Sequence, residues 1–154
     1  MTSKADYKVT KLTRDDYDEW AVLFRAYIDF YRSSIDGEQY KKTFDRIIAE
    51  KDGLQALVVR QVGDGAEKMV GIAHFFPEIT PWSEKKIMML NDLFVDPAIR
   101  GQGLGRKLIE AVADVARDTN CLRLQWLTKH DNVTARALYD KLADTQFVQY
   151  RMAL

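Results

Sequence analysis

Hydrophobic positions along the 154-residue chain change their period several times, and each change marks an element. Residues 7–12 alternate and predict a first strand. Thr13-Arg14-Asp15-Asp16 reads as a helix start, a capping hydroxyl followed by acidic residues in the first turn. Tyr17, Trp20, Phe24, Tyr27 or Ile28, and Tyr31 then recur at three- and four-residue steps, predicting a helix that Ser33-Ser34 closes. Asp36-Gly37 opens a shorter helix with Tyr40, Phe44, Ile47 and Ile48 on one face, and Asp52-Gly53 ends it. Aliphatic residues 54–62 predict a strand, Gly63-Asp64-Gly65 a hairpin turn, and residues 68–76 the returning strand. Residues 77–83 hold Pro77 and Pro81 and predict a loop, and residues 86–95 predict a third long strand. Leu104, Leu108, Val112 and Val115 form the stripe of another helix, which Thr119-Asn120 closes. Residues 121–128 predict a strand with Leu122, Leu124 and Trp126 on one face. A polar turn at 129–132, a helix over 133–142 and a closing strand over 146–152 complete the chain.

The order β-α-α-β-β-β-α-β-α-β, without repeats, low-complexity tracts or linkers, predicts a single α+β domain over 1–154. Strand, helix and strand between 86 and 128 predict a parallel pair joined by a right-handed crossover.

Composition narrows the class. Hydrophobic residues make up 47% and charged residues 30%, which suits a globular domain with a full core. Lys+Arg and Asp+Glu are both 23, and this zero balance argues against general nucleic-acid binding while leaving room for a local basic pocket. Cys121 is the only cysteine, so a reducing compartment is expected. No apolar run approaches the ~18 residues of a membrane span. Met1-Thr2-Ser3-Lys4-Ala5-Asp6 carries no apolar leader segment, so the expectation is a soluble, cytoplasmic protein without membrane or nucleic-acid partners.

The chemistry concentrates where the third long strand ends. Arg100-Gly101-Gln102-Gly103-Leu104-Gly105-Arg106-Lys107 joins that strand to a helix. Glycines let backbone N–H groups converge, and a helix N-terminus adds unpaired donors and partial positive charge, which together make an anion site. The dinucleotide fingerprint G-x-G-x-x-G fails, because Arg106 or Leu108 stands where its last glycine belongs. The P-loop fails as well, because Arg106 precedes Lys107 and Leu108 follows it, leaving no hydroxyl for Mg²⁺.

Arg/Gln-x-x-Gly-x-Gly/Ala does fit, and here the chain resembles the GNAT superfamily of acetyl-CoA-dependent N-acetyltransferases. Asn132, Ala135, Leu138-Tyr139 and Lys141-Leu142 resemble the family's later signature. Asn132 and Tyr139 stand nearly two helical turns apart, on one face, and Asn132 is also placed to cap its helix. Residues 23–31, 70–76 and 90–96 are similar in particular to fungal histone/polyamine acetyltransferases and bacterial relatives. Spermidine/spermine acetyltransferases are more loosely similar. Two positions depart from them. Asn91 stands where those polyamine enzymes tend to have Glu, and Gln146-Phe147 stands where the family has Gly-Phe.

The resemblance implies a mixed sheet splayed between strands four and five, flanked by about four helices. It implies acetyl-CoA as cosubstrate and no metal. The pantetheine would lie along Leu93, Phe94 and Val95, and the pyrophosphate on Arg100, Gly101, Gln102, Gly103, Leu104, Gly105 and Arg106. Asn132, Ala135 and Tyr139 would hold the pantetheine end. Tyr139 would hydrogen-bond or protonate the leaving thiolate, and Asp92 is the candidate for meeting a cationic amine. Tyr27, Tyr31, Asn91 and Asp92 would border the acceptor, and Phe30 and Trp82 are further aromatics for that mouth. His74 and His130 are the only imidazoles, His130 being nearer the site in sequence. The implied reaction is direct acetyl transfer to a polyamine, a lysine side chain or a small amino compound. A homodimer exchanging the closing strand is also implied. A non-catalytic acyl-CoA-binding domain of the same fold is the alternative.

Overall fold

The computed structural model of the protein describes residues 5–63 and 65–154. Five strands lie in the spatial order β1-β2-β3-β4-β5. β1 (Asp6–Lys11), β2 (Gln55–Gly63), β3 (Ala66–Thr80) and β4 (Ser83–Val95) are successively antiparallel, and β5 (Leu124–Trp126) joins β4 in parallel. α1 (Tyr17–Phe30) and α2 (Gly37–Ile48) connect β1 to β2, α3 (Leu104–Asp118) connects β4 to β5, and α4 (Val133–Leu142) follows β5. Strand, α3 and strand form the expected crossover. The hairpin between β2 and β3 pairs Gly63 with Ala66, and Asp64 at its tip lies outside the described residues.

Alternation along β2 divides the core. Ala56 and Val58 face Trp20, Phe24, Tyr40 and Phe44 of α1 and α2, while Leu57 and Val59 face Leu104, Leu108, Ile109 and Val112 of α3. Side chains two apart share a face, so one strand feeds two layers. Gly71 lets α3 close on the sheet. A Cβ there would stand 2.7 Å from Val59, 3.1 Å from the Phe94 carbonyl and 3.3 Å from Leu108.

Several boundaries differ from the sequence expectation. Thr13 caps a short 3-10 turn, Arg14–Asp16, before α1 begins. α1 ends at Phe30 rather than Ser33, because Arg32 takes a left-handed φ of 53° and Ser33 N–H reaches back to the Ile28 carbonyl. The 77–83 loop is instead two strand ends joined by a turn at Pro81-Trp82, with Thr80 opposite Ser83. Pro77 is tolerated because β2 pairs with β3 only as far as Phe75. Beyond that point β3 has a free edge, where the missing N–H is not needed. The strand expected over 121–128 shrinks to three residues, and Leu122 is exposed. The closing strand over 146–152 is absent. β5 is too short to offer a pairing edge, and residues 143–154 are irregular after α4.

Candidate active site

The site begins at a defect in β4. His74 pairs with Asp92 and Phe75 with Leu90, so Asn91 is an extra residue, a β-bulge. Pairing with β5 runs Met88–Leu124, Met89–Gln125, Leu90–Trp126 and stops there. From the bulge onward the two parallel strands separate.

The bulge also reverses which backbone groups face the gap. Before it, the Met88 N–H points to β5 and donates to the Arg123 carbonyl at 2.9 Å. After it, the Asp96 N–H points the other way and donates to the Val70 carbonyl at 2.8 Å. Alternation then turns Phe94 N–H toward β3 and leaves Leu93 and Val95 presenting N–H and C=O to the open side. A free edge of this kind demands a partner.

The same strand leads into the anion loop. Asp96 caps a 3-10 turn, Pro97–Ile99, by accepting from the Ala98 N–H at 3.0 Å. Gly101 and Gly103 take φ of +82° and +73°, conformations that disfavour any side chain. Gly103 is the N-cap of α3, and the first intrahelical bond comes from the Lys107 N–H. The N–H groups of Leu104, Gly105 and Arg106 therefore emerge free at the positive end of a 15-residue helix. Nothing lies within 4 Å of where a Cβ would project from Gly101 or Gly103. A cradle with open space before it fits a pyrophosphate. The Arg106 side chain turns away and pairs with Glu110 at 2.9 Å.

Across the gap, Asn132 caps α4, accepting from the Ala135 N–H at 3.4 Å and donating to Thr128 Oγ1 at 3.1 Å. Tyr139 packs edge-on against Trp126, ring centroids 5.5 Å apart. Burial, with the Tyr31 phenol beside it, pushes the Tyr139 hydroxyl up to about 12.

The end of α1 closes the remaining side. Tyr27 lies against Phe94 (6.0 Å) and Tyr31 (5.0 Å). Burial first, then the Asp92 carboxylate and Tyr31, push the Tyr27 phenol far up, so it stays protonated and faces Asp92. Lys129 Nζ stands 5.4 Å over the Tyr31 ring, so that aromatic already carries a cation. Asn91 is exposed, and its amide donates to Asp92 Oδ1 at 3.1 Å.

The predicted residues thus converge: Asp92, Leu93, Val95, Tyr27, Tyr31, Asn132 and Tyr139 surround one gap. Phe94 contributes a buried side chain, and Phe30 sits under Arg100 at 5.8 Å. Trp82 is exposed at the far turn of the β3–β4 hairpin, away from the bulge. His130 accepts from Arg136 through its backbone only. Sequence reasoning missed His74, whose Nδ1 lies 2.9 Å from Asp92 Oδ2. Its signal was the β3–β4 register, which sets it opposite Asp92. A surface hollow of about 510 Å³ lined by Pro77, Glu84, Lys86, Met88 and Cys121 lies at the other end of the sheet and shares none of these residues. Among the described residues no cluster suited to a metal ion is present.

A sheet that opens between parallel strands four and five, with a glycine cradle and helix N-terminus below the opening, defines the acyl-CoA N-acyltransferase class. The chain belongs to the acetyltransferase (GNAT) family, whose profile matches residues 20–143. It is 32% identical over 130 residues to the Saccharomyces cerevisiae D-amino-acid N-acetyltransferase HPA3, covering 83% of this chain and 78% of that one. It is 36% identical over 135 residues to an uncharacterized Bacillus subtilis N-acetyltransferase, YhfO, covering 84% and 86%. A Bos taurus thialysine N-epsilon-acetyltransferase is 36% identical over 74 residues, 48% of this chain and 43% of that enzyme. Among solved structures, aminoglycoside N-acetyltransferase AAC(6')-Iy in complex with CoA shares the fold, with a TM-score of 0.81, 15% identity, and coverage of 99% and 98%.

Proposed function

We propose that this protein transfers the acetyl group of acetyl-CoA directly to the primary amine of a small cationic acceptor, in a ternary complex without a covalent enzyme intermediate. One observation carries the reading. A free strand edge at Leu93 and Val95 leads at one end to the anion cradle of Gly101–Arg106 and at the other to the Asp92 carboxylate, with Tyr139 across it. Pantetheine pairs with that edge as an added strand, and the pyrophosphate takes the free N–H groups of 104–106. Asn132 holds the pantetheine amide nearest the thioester.

In the reaction the acceptor's ammonium, first bound at Asp92, releases a proton to solvent water at the mouth of the gap. The neutral nitrogen attacks the thioester carbonyl carbon, and a second proton leaves that nitrogen for solvent as the tetrahedral intermediate collapses. The C–S bond breaks and the CoA sulfur leaves as thiolate. Tyr139, packed on Trp126 beside Tyr31, is the hydroxyl we assign to that sulfur. A phenol at about 12 lies ~3.5 pH units above an ordinary thiol, so full proton transfer is uphill by roughly 5 kcal/mol. Tyr139 therefore stabilises the thiolate by donating a hydrogen bond. Asp92 binds the acceptor's ammonium, with Tyr27 and Tyr31 as an aromatic wall. Two relatives are named for amino-acid acceptors, a D-amino acid and thialysine, which supports a small amino compound over a protein substrate.

A homodimer in a reducing, cytoplasmic compartment belongs to the same proposal. Its support is the lone Cys121 and a C-terminal segment whose Phe147, Val148, Tyr150, Met152 and Leu154 are 79–117% exposed. Light scattering on the full chain and on a chain ending at Thr145 tests it. Loss of a dimer on truncation supports tail exchange, and a monomeric full chain contradicts it.

Thiol release from acetyl-CoA, measured against D-lysine, thialysine, spermidine and an aminoglycoside, tests the function. Turnover with at least one cationic amine is expected. Acetyl-CoA binding with no turnover on any of them would favour a non-catalytic acyl-CoA-binding domain.

A further inference from the structure

A three-residue line runs from the core to the gap: buried Trp20, buried His74 and partly exposed Asp92. Trp20 Nε1 lies 2.9 Å from His74 Nε2, and His74 Nδ1 lies 2.9 Å from Asp92 Oδ2. An indole N–H only donates, so His74 Nε2 must accept. The single ring proton is then on Nδ1 and is donated to Asp92. A second proton on Nε2 would meet the indole N–H head-on, so the ring is neutral in this arrangement.

We infer that His74 is the positioning residue for Asp92, and that Trp20 fixes its tautomer, so that the site presents a fixed carboxylate to a cationic acceptor and not a His–Asp general-base dyad. This rests on the reading above in which Asp92 meets the ammonium. In a dyad whose imidazole is the base, Nε2 faces the substrate and the carboxylate holds Nδ1 from behind. The order is inverted here. Nε2 is capped by a fully buried tryptophan, the His74 side chain is 3% exposed, and the carboxylate stands on the gap side with its side chain 17% exposed. His74 neither takes nor relays the acceptor's proton. It holds one carboxylate oxygen while the Asn91 amide holds the other.

The groups facing the imidazole are Asp92 from β4 and two uncharged rings from α1, Trp20 and Phe24, at 5.8 and 4.9 Å; Ala56 of β2 lies opposite in register. Tyr27 of α1 faces Asp92. Since the imidazole is neutral, its bond to Asp92 orients the carboxylate and leaves its charge uncancelled. The acceptor class this selects is a cationic amine over a neutral one.

Two measurements test the inference. The first is nitrogen NMR of His74 in the full-length protein at about pH 7, where a free imidazole mixes tautomers. The Nδ1–H form is expected as the single species, because the indole N–H on one side and the acceptor-only carboxylate on the other both require it. An Nε2–H or doubly protonated ring in the unaltered protein would overturn it. The second compares His74→Leu, which removes the donor, with His74→Asn, whose amide N–H stands near the place of Nδ1–H. With spermidine and D-lysine as acceptors, His74→Leu should raise the acceptor KM roughly 10- to 100-fold, the range of a hydrogen bond to a charged group. The KM for acetyl-CoA should stay put, and His74→Asn should recover most of the acceptor KM. Equal acceptor KM values for the two variants would contradict a positioning role. If neither of these amines turns over, the KM comparison uses whichever of thialysine and the aminoglycoside does; if none of the four turns over, the proposed function has failed, and the tautomer still decides this inference.

Discussion

Two carboxylates, Asp16 buried and Asp92 partly buried, sit on the same side of the sheet core, and their partners differ in a way that separates structure from function. Asp16 Oδ2 accepts from the Thr13 N–H at 2.7 Å, the Thr13 hydroxyl at 3.0 Å and Arg60 Nη2 at 2.7 Å. Arg60 spends its Nε on Thr10 at 3.0 Å. This charge is cancelled by a cation in the same chain. Asp92 is held by a neutral imidazole and a neutral amide, so its charge remains to be answered from outside. The first is a closed pair that fastens β1, β2 and the start of α1. The second stands at the mouth of an opened sheet.

Breaking the closed pair should have the largest effect on folding. Arg60→Ala leaves Asp16 buried without its cation and should cost about 3–5 kcal/mol, read as a lowered denaturation midpoint. The acceptor KM of the protein that remains folded should be unchanged. Tyr139→Phe should do the reverse. It removes a donor to developing charge, so kcat should fall roughly 10²- to 10³-fold while stability and acetyl-CoA binding stay close to the parent. Unchanged turnover would remove Tyr139 from the mechanism.

Gly103→Ala is a smaller perturbation on the functional side. It forces a side chain into a left-handed φ at the cap of α3, costing about 1–2 kcal/mol. Its signature should be a raised KM for acetyl-CoA with little change in the acceptor KM. The mildest effect is the pH dependence of the closed pair. Burial alone would raise the Asp16 carboxyl, but the Thr13 N–H, Arg60 and the Thr13 hydroxyl outweigh it and hold it below its usual value. A carboxyl lowered by folding stabilises the fold fully above the ordinary value near ~3.9 and loses that contribution as pH falls through the lower folded value. The stability gap between the parent and Asp16→Asn should be flat at neutral pH and close in acid. A gap that widened on acidification would contradict the assignment.

Much of this was legible in the residues. Glycine spacing, the failed nucleotide motifs and the Asn132–Tyr139 register pointed to one family and one gap, because local backbone geometry and helical period are written in short stretches. His74 was not legible, because its role depends on which residue of β4 stands opposite it, and the Asn91 bulge shifts that register by one. Pro77 suggested a loop because its free edge exists only where β2 has already ended. The closing strand was over-read from apolar residues that find no strand edge within the chain. Long-range pairing decided each of these cases, and a window of neighbouring residues does not contain it.

The bulge also makes a prediction at single-residue resolution. Amide hydrogen exchange of Leu93, Phe94 and Val95, with and without acetyl-CoA, reads the direction of each N–H. Phe94, already turned toward β3, should be slow in both states. One or both of Leu93 and Val95 should be fast in the free protein and become protected when acetyl-CoA binds. Protection that appears at Phe94 instead, or no change at Leu93 and Val95 on saturation with acetyl-CoA, would mean that the free edge of β4 is not where the cosubstrate lies.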